Sequence, residues 1–244
     1  MDSKYHGRVA VSDSKEEVAQ QCSEYILRHL SEALKARGQA SLAISGGSTP
    51  KLLFAAMAKT SFDWSNVHIF WVDERCVPPT DAQSNYKLAN EALLLPAKIP
   101  TQNIHRVLGE LSPAQGAQRY VEDIKSAFSL HGGSLPVFDV IHRGIGTDAH
   151  TASLFPGEPL IANRDGIAAP VWVEKMKSHR VTLLPGVLIA ARLTVIEAAG
   201  ADKAEAIHNV LEGPADPFQF PCQLAARDAA NTLWFIDRPA AAKL

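Results

Sequence analysis

The sequence predicts an α/β fold in three layers, α/β/α, built on a mostly parallel sheet with helices on both faces. Three observations carry that reading. Short apolar runs alternate with longer stretches of helical periodicity along the 244 residues. The runs are apolar at nearly every position, the pattern of strands covered on both sides. Gly and Pro, 15 of each, are spread evenly, with no linker, no repeat and no low-complexity block beyond the Ala-rich stretch 240–242. One domain spanning residues 1–244 is therefore expected.

The elements follow in order. Residues 8–11 (Arg8, Val9, Ala10, Val11) read as a strand, and Ser14-x-x-Glu17 as a capping box. Val18, Cys22, Tyr25, Ile26, His29, Leu30, Ala33 and Leu34 then recur at helical spacing until Gly38 stops the run. Residues 41–44 form a second strand, ending in Ser45-Gly46-Gly47-Ser48-Thr49-Pro50; Thr49 reads as the N-cap of the next helix and Pro50 as its first residue. Strands are expected at 67–72, 138–141, 181–184, 193–198 and 233–236, and helices at 84–95, 113–128 and 202–211. In such sheets ligands bind beyond the carboxyl ends of strands. That rule selects the loops after Ile44, Val72 and Ile141.

Composition narrows the function. With 24 basic and 26 acidic residues the net charge is −2, so there is no basic footprint for nucleic acid or an anionic membrane, and any anion site must be local. The 46% apolar and 20% charged content excludes a disordered chain, a fibre and a coiled coil. No apolar run is long enough to span a bilayer, and residues 1–14 are polar without a signal core, which leads us to expect a cytoplasmic protein. Cys22, Cys76 and Cys222 are odd in number and widely spaced, and read as reduced thiols. The nine histidines lack metal-ligand spacing, so no metal is expected.

Four constellations could carry chemistry. Gly46 and Gly47 let the backbone turn tightly, and free N–H groups at the following helix start suit a phosphate, with Ser48 and Thr49 as hydroxyl donors. The alternative is a plain capped strand-to-helix turn. Asp73-Glu74-Arg75 sits at a strand's carboxyl end, where Arg75 could hold an oxyanion and Asp73 could orient a sugar hydroxyl or the Arg; the alternative is a surface ion pair. In Gly144-Ile145-Gly146-Thr147-Asp148-Ala149-His150, a carboxylate two residues from a His is a general-base arrangement. The same segment fits the dinucleotide pattern G-x-G-x-x-A, but Pro156-Gly157 interrupts the helix that pattern should open. Arg180 and Lys203 are lone cations, read either as solvated or as facing an anion. No G-x-S-x-G elbow is present, and no Cys neighbours a His.

Together these segments resemble the 6-phosphogluconolactonase family over nearly the whole chain. The resemblance rests on Ser45–Pro50, Asp73-Glu74-Arg75-x-Val77-Pro78, Ser84-Asn85-Tyr86, Gly144-x-Gly146-x-Asp148-x-His150 with Thr151 to Pro156 after it, Arg180-Val181-Thr182-Leu183 and Gly200-Ala201-Asp202-Lys203-Ala204. It implies a Rossmann-like fold shared with glucosamine-6-phosphate deaminases, hydrolysis of 6-phospho-D-glucono-1,5-lactone in the oxidative pentose phosphate pathway, and no cofactor. It implies His150 as general base, Asp148 orienting it or contacting substrate, and Arg75 stabilising charge on the carbonyl oxygen. Gly46, Gly47, Ser48, Thr49, Arg180 and Lys203 would surround the sugar phosphate, with Asp73 and Asn85 also binding substrate. A weak or transient association with glucose-6-phosphate dehydrogenase is the partner it suggests.

Two departures stand out. Ala149 replaces the family's usual Gly, and His142 and Arg143 replace two apolar residues, as a pair near the pocket or at an interface. Two rival functions differ from the lactonase in particular residues. The deaminases resemble this chain in Asp-x-His but carry Glu where it has Phe155 and Tyr where it has Arg75. A non-catalytic sugar-phosphate sensor would need no complete His150, Asp148 and Arg75 set, and the fused sensors carry a DNA-binding module that is not found before Val9.

Overall fold

The computed structural model describes residues 8–244, and for Arg8 and Ser48 the backbone only. Residues 1–7 of the polar segment 1–14, and the hydroxyl donor expected at Ser48, lie outside the described residues. Seven parallel strands form the main sheet in the order β1-β10-β9-β6-β2-β3-β5. They are β1 (Arg8–Ser12), β2 (Ala40–Ile44), β3 (Val67–Trp71), β5 (Ile104–His105), β6 (Val140–Arg143), β9 (Thr194–Ala198) and β10 (Thr232–Asp237). A second sheet has order β4-β8-β7, from β4 (Asp73–Arg75), β7 (Ala168–Val173) and β8 (Ser178–Leu183), and is antiparallel. The strand expected at 181–184 thus belongs to this smaller sheet, and β4, β5 and β7 were not expected. The helices are α1 (Lys15–Arg37), α2 (Ser48–Ala58), α3 (Asn85–Ala89), α4 (Pro113–Ala127), α5 (Pro185–Ala190) and α6 (Ala204–Leu211).

Local chemistry sets the ends of α1. The Ser14 hydroxyl accepts from Glu17 N–H at 3.2 Å, while the Glu17 carboxylate turns back to Asp13 N–H at 2.9 Å, so the box closes one residue earlier than a standard one. Gly38, at φ 75°, ends the helix in the left-handed region that glycine enters without strain. On β9, Val195 packs into a core with Val18 and Cys22 of α1, and Ile196 into a second core with Ile207 and Val210 of α6. Adjacent residues buried on opposite sides explain why Val195 and Ile196 are both apolar.

One residue carries the chain from the main sheet to the small one. Tyr120 of α4 gives its hydroxyl to Trp71 O at 2.6 Å and accepts from Trp71 N at 2.8 Å. The short β5 has ended by then, so a side chain fills the hydrogen-bonding edge of β3 in its place. Val72 N–H then bonds to Ile44 O in the main sheet and Val72 O accepts from Leu183 N–H in the small one, at 2.9 and 2.8 Å.

The strand expected at 138–141 is β6, displaced so that it includes His142 and Arg143. Both are fully buried, which removes the reading of this pair as a pocket or interface element. They occupy opposite faces of the sheet. His142 Nε2 lies 3.1 Å from Glu197 Oε2 of β9, in the core beside Phe54. Burial pushes the Arg143 guanidinium down to about 10. Removing one member of a buried pair strands the other in a low-dielectric site. Glu197→Ala is therefore expected to cost about 3–5 kcal/mol, read from the denaturant midpoint. Replacing His142 and Glu197 together with Leu should cost less than the single change; an equal or larger loss would remove the pair from the stability argument.

Candidate active site

Three segments at the carboxyl ends of β2, β3 and β6 converge on a cleft of about 220 Å³, with β8 and the turn before α6 closing it. The first is the turn after β2. Gly47, at φ 131°, is the N-cap of α2, so the cap falls two residues before the expected Thr49, and Pro50 is the third helical residue. Gly46 is required by close approach: a Cβ there would stand 1.8 Å from Asn85 Oδ1. Ser45, Gly46 and Gly47 line the cleft, whereas Thr49 is not among the lining residues.

Asp73-Glu74-Arg75 is a strand rather than a loop, and alternation along it divides the three charges. Asp73 and Arg75 line the cleft. Glu74 points the other way and accepts from Asn85 N–H at 2.8 Å, Tyr86 N–H at 2.7 Å and the Ser84 hydroxyl at 3.1 Å. Burial pushes its carboxyl up, with those bonds opposing. Glu74 therefore fixes α3 against β4. Arg75 is held in turn: its Nη1 donates to Gln83 O at 2.7 Å and to Asn85 Oδ1, while Asn85 Nδ2 donates to Asp73 O at 2.8 Å. Opposite Arg75 in the β4–β8 register stands Arg180, buried to 5% exposure, its Nη1 3.7 Å from Asp73 Oδ2. Burial lowers its affinity for the proton, Asp73 opposes that, and Arg75 adds to it. The Ser153 hydroxyl completes the set, donating to Asp73 Oδ2 at 2.5 Å.

The third segment follows β6. Residues 144–149 form an irregular loop with a turn at 147–148, not a helix, so the dinucleotide pattern lacks the helix N-terminus it needs. His150 lies over the backbone of Gly146, where a Cβ would come within 1.9 Å of Nδ1. Its Nδ1–H donates to Asp148 Oδ1 at 2.5 Å, a tautomer assigned from the partner, which leaves Nε2 with the lone pair. Burial pushes the Asp148 carboxyl up, but the hydrogen bonds from His150 and Lys175 outweigh it and hold it well below the usual carboxylate range. Asp148 does not line the cleft; it stands behind His150, so of its two expected roles the geometry fits orientation of the imidazole. Phe155 stacks on the His150 ring at 4.0 Å and 17°, and the Arg180 guanidinium lies 5.8 Å from the centre of the Phe155 ring on the cleft side.

Ala149 and Ala152 flank His150 at φ 63° and 53°, left-handed conformations that cost a non-glycine residue about 1 kcal/mol each. The Ala149 methyl is buried in the α6 core, which returns about 0.8 kcal/mol. The two terms nearly cancel, which accounts for alanine at a position suited to glycine.

Lys203 closes the far wall. It is the last residue of a 3-10 turn, Ala201–Lys203, and sits at the N-cap of α6 rather than inside a helix starting at Asp202. Its Nζ is 3.5 Å from Asp202 Oδ2. Arg75, Arg180 and Lys203 thus face one lining carboxylate, Asp73, so the cleft is locally cationic in a chain of net charge −2. Among the described residues no group of three or more His, Cys, Asp or Glu is placed to hold a metal ion. Sequence reasoning missed Lys175, because a lysine in a hairpin carries no periodic or motif signal, and gave no site role to Ser153, although it lies in the quoted stretch Thr151 to Pro156.

Residues 13–234 match the family described as glucosamine-6-phosphate isomerases/6-phosphogluconolactonase. The chain is 36% identical over 222 residues to a 6-phosphogluconolactonase of Nostoc sp., covering 91% of each chain. To one of Synechocystis sp. it is 34% identical over 220 residues, covering 90% of each. Its fold is similar to that of 6-phosphogluconolactonase from Trypanosoma cruzi, with a TM-score of 0.87, 25% identity and coverage of 98% of this chain and 97% of that one. A monomeric glucosamine-6-phosphate deaminase shares the fold alone, at 18% identity and a TM-score of 0.82. With its motifs gathered around one cleft and residues 13–234 matched, the chain belongs to the glucosamine-6-phosphate isomerase/6-phosphogluconolactonase family.

Proposed function

We infer that the chain hydrolyses 6-phospho-D-glucono-1,5-lactone to 6-phospho-D-gluconate, the lactonase step of the oxidative pentose phosphate pathway. The observation that carries this is His150, oriented by Asp148 at 2.5 Å with Nε2 unengaged, on a cleft lined by three cations. In our reading Nε2 takes a proton from water as the water oxygen adds to the lactone carbonyl carbon. Charge develops on the carbonyl oxygen, and Arg75, already fixed by Gln83 and Asn85, is the preorganised cation for it. Collapse breaks the bond from that carbon to the ring oxygen, which takes the proton back from the imidazolium. Asp148 keeps Nδ1 protonated throughout. Lys203, Arg180 and the backbone of Gly46 and Gly47 are the groups available to the phosphate.

Phe155 favours this reaction over deamination. The position where a deaminase carries Glu holds an apolar ring stacked on the base, and it cannot exchange a proton. The whole chain, 1–244, acts as one domain in this reading, in the cytoplasm. Among the described residues no helix is long and apolar enough to cross a membrane. Glucose-6-phosphate dehydrogenase, which makes the lactone, is its transient partner.

The deciding experiment generates the lactone in situ from glucose 6-phosphate and follows its loss against spontaneous hydrolysis. A rate no faster than the blank, or ammonia release from glucosamine 6-phosphate at a comparable rate, would overturn the reading. The phosphate contact has its own test. Losing one charge-assisted contact costs about 1.5–3 kcal/mol. Lys203→Ala should therefore raise KM for the phosphorylated lactone by about 10- to 150-fold and leave unphosphorylated gluconolactone nearly unaffected. Arg180→Ala should act in the same direction, but it also leaves Asp73 short of a partner, so Lys203 gives the cleaner measurement. Equal effects on both lactones would remove Lys203 from the phosphate site.

A further inference from the structure

The Asp148 carboxylate is shared. Oδ1 receives the imidazole of His150 at 2.5 Å, and Oδ2 receives the ammonium of Lys175 at 2.7 Å. Lys175 lies on the 3-10 turn Glu174–Met176 between β7 and β8, an element of the small sheet. It approaches Asp148 from a separate cleft of about 360 Å³ that lies on the other side of the carboxylate from His150. Its neighbours on the turn are otherwise engaged: Glu174 takes Lys177 and the Trp172 indole N–H. Asp148 is the partner that Lys175 has among the described residues.

We propose that Lys175 is a positioning residue of this site: it clamps the outer oxygen of Asp148 so that the inner oxygen stays on His150, and its charge offsets part of the pull of Asp148 on the imidazolium. The proposal rests on His150 being the base. A carboxylate held at one oxygen can rotate about its Cβ–Cγ bond; held at both, it cannot turn without breaking a charge-assisted bond. The ammonium also divides the attraction of Asp148. Without it the full carboxylate charge would fall on the imidazolium and stabilise it, so His150 would stay protonated to higher pH.

The other charges facing His150 are fixed by the rest of the site. Asp73 and Arg75 face it from β4, Arg180 from β8 across the Phe155 ring, and Lys203 from the turn before α6. None of these contacts Asp148, so a change at Lys175 leaves them in place. Lys175 is more than half exposed, which limits the size of its effect through solvent screening.

The test compares Lys175→Met, Lys175→Arg and Lys177→Met with the unmodified chain. The readouts are kcat against pH and the titration of the His150 ring followed by NMR. Lys175→Met should move both the ring titration and the acid limb of kcat up by about half a pH unit. At a pH on that limb, this is about a threefold loss of rate. The shift should shrink in about 1 M salt, where the Debye length falls to about 3 Å. Lys175→Arg should restore the profile, and Lys177→Met, which removes only the Glu174 pair, should not move it. A His150 titration that is the same in Lys175→Met as in the unmodified chain overturns the proposal. A titration that moves while the acid limb of kcat stays put supports the electrostatic link and overturns His150 as the base, so the two failures are distinguishable.

Discussion

His150→Ala is expected to lower kcat for the phosphorylated lactone by about 10²–10⁴, the range that a positioned general base supplies, with KM nearly unchanged. The imidazole is the one group on the cleft with an oriented, unengaged ring nitrogen, since Asp148 occupies Nδ1. The groups available to the phosphate, Lys203, Arg180 and the backbone of Gly46 and Gly47, are untouched by the change. His150→Asn keeps a polar side chain of similar reach and should lose as much rate, because an amide cannot take the proton. His142 is the natural control, one strand residue from the start of the same loop. It is fully buried against Glu197, on the sheet face shared with Phe54, away from the cleft. His142→Asn is expected to lower stability and to leave the pH dependence of kcat as it was. The assignment of the base is wrong if His142→Asn abolishes turnover of folded protein and His150→Asn does not.

The second large effect is steric. Gly146→Ala introduces a Cβ at 1.9 Å from His150 Nδ1, 2.1 Å from Cε1 and 2.7 Å from Asp148 Oδ1. No real Cβ tolerates such distances, so the imidazole and the carboxylate must both move. A displacement of about 1 Å at the reacting group can cost about 10² in rate. We expect kcat to fall by at least that, with binding of the phosphate largely kept. The backbone at Gly146 is not in the left-handed region, so the fold should survive and near-native melting should accompany the lost rate. Retained activity in Gly146→Ala would mean that the His150–Asp148 pair does not need this geometry. Gly46→Ala is the parallel case on the other side of the cleft, where the new Cβ meets Asn85 and through it Arg75.

Much of this was legible in the residues themselves. Six of the seven strands of the main sheet follow from runs such as Val67–Trp71, apolar at nearly every position because both faces are covered, whereas the two-residue β5 is too short to show a pattern; the start and stop of α1 follow from Ser14 and Gly38. The chemical segments were legible for the same reason: a strand's carboxyl end is where a ligand can meet free backbone and side chains at once, and three such ends carried Gly-Gly, Asp-Glu-Arg and Asp-x-His. The identity of the candidate base was therefore a property of the sequence.

The tertiary structure decided the partners. Asp73-Glu74-Arg75 carries no apolar signal, so its place as a strand came from β8, which supplies the pairing and sends Glu74 to α3 while Asp73 and Arg75 face the cleft. His142 and Arg143 read as a pair near the pocket or at an interface because they adjoin the loop; pleating turned them to opposite faces of the sheet, where both are fully buried. Gly47 rather than Thr49 caps α2, and Asn85, 39 positions along the chain from Gly46, packs so close to that glycine that no side chain fits there. Lys175 could not be read at all, since a lysine 27 residues from Asp148 becomes its partner only when a separate sheet folds back over the loop. Periodicity and motifs record which face a residue presents and what chemistry it carries, both local properties. Which charge meets which depends on contacts between segments distant in sequence, and a single chain of letters does not encode those locally.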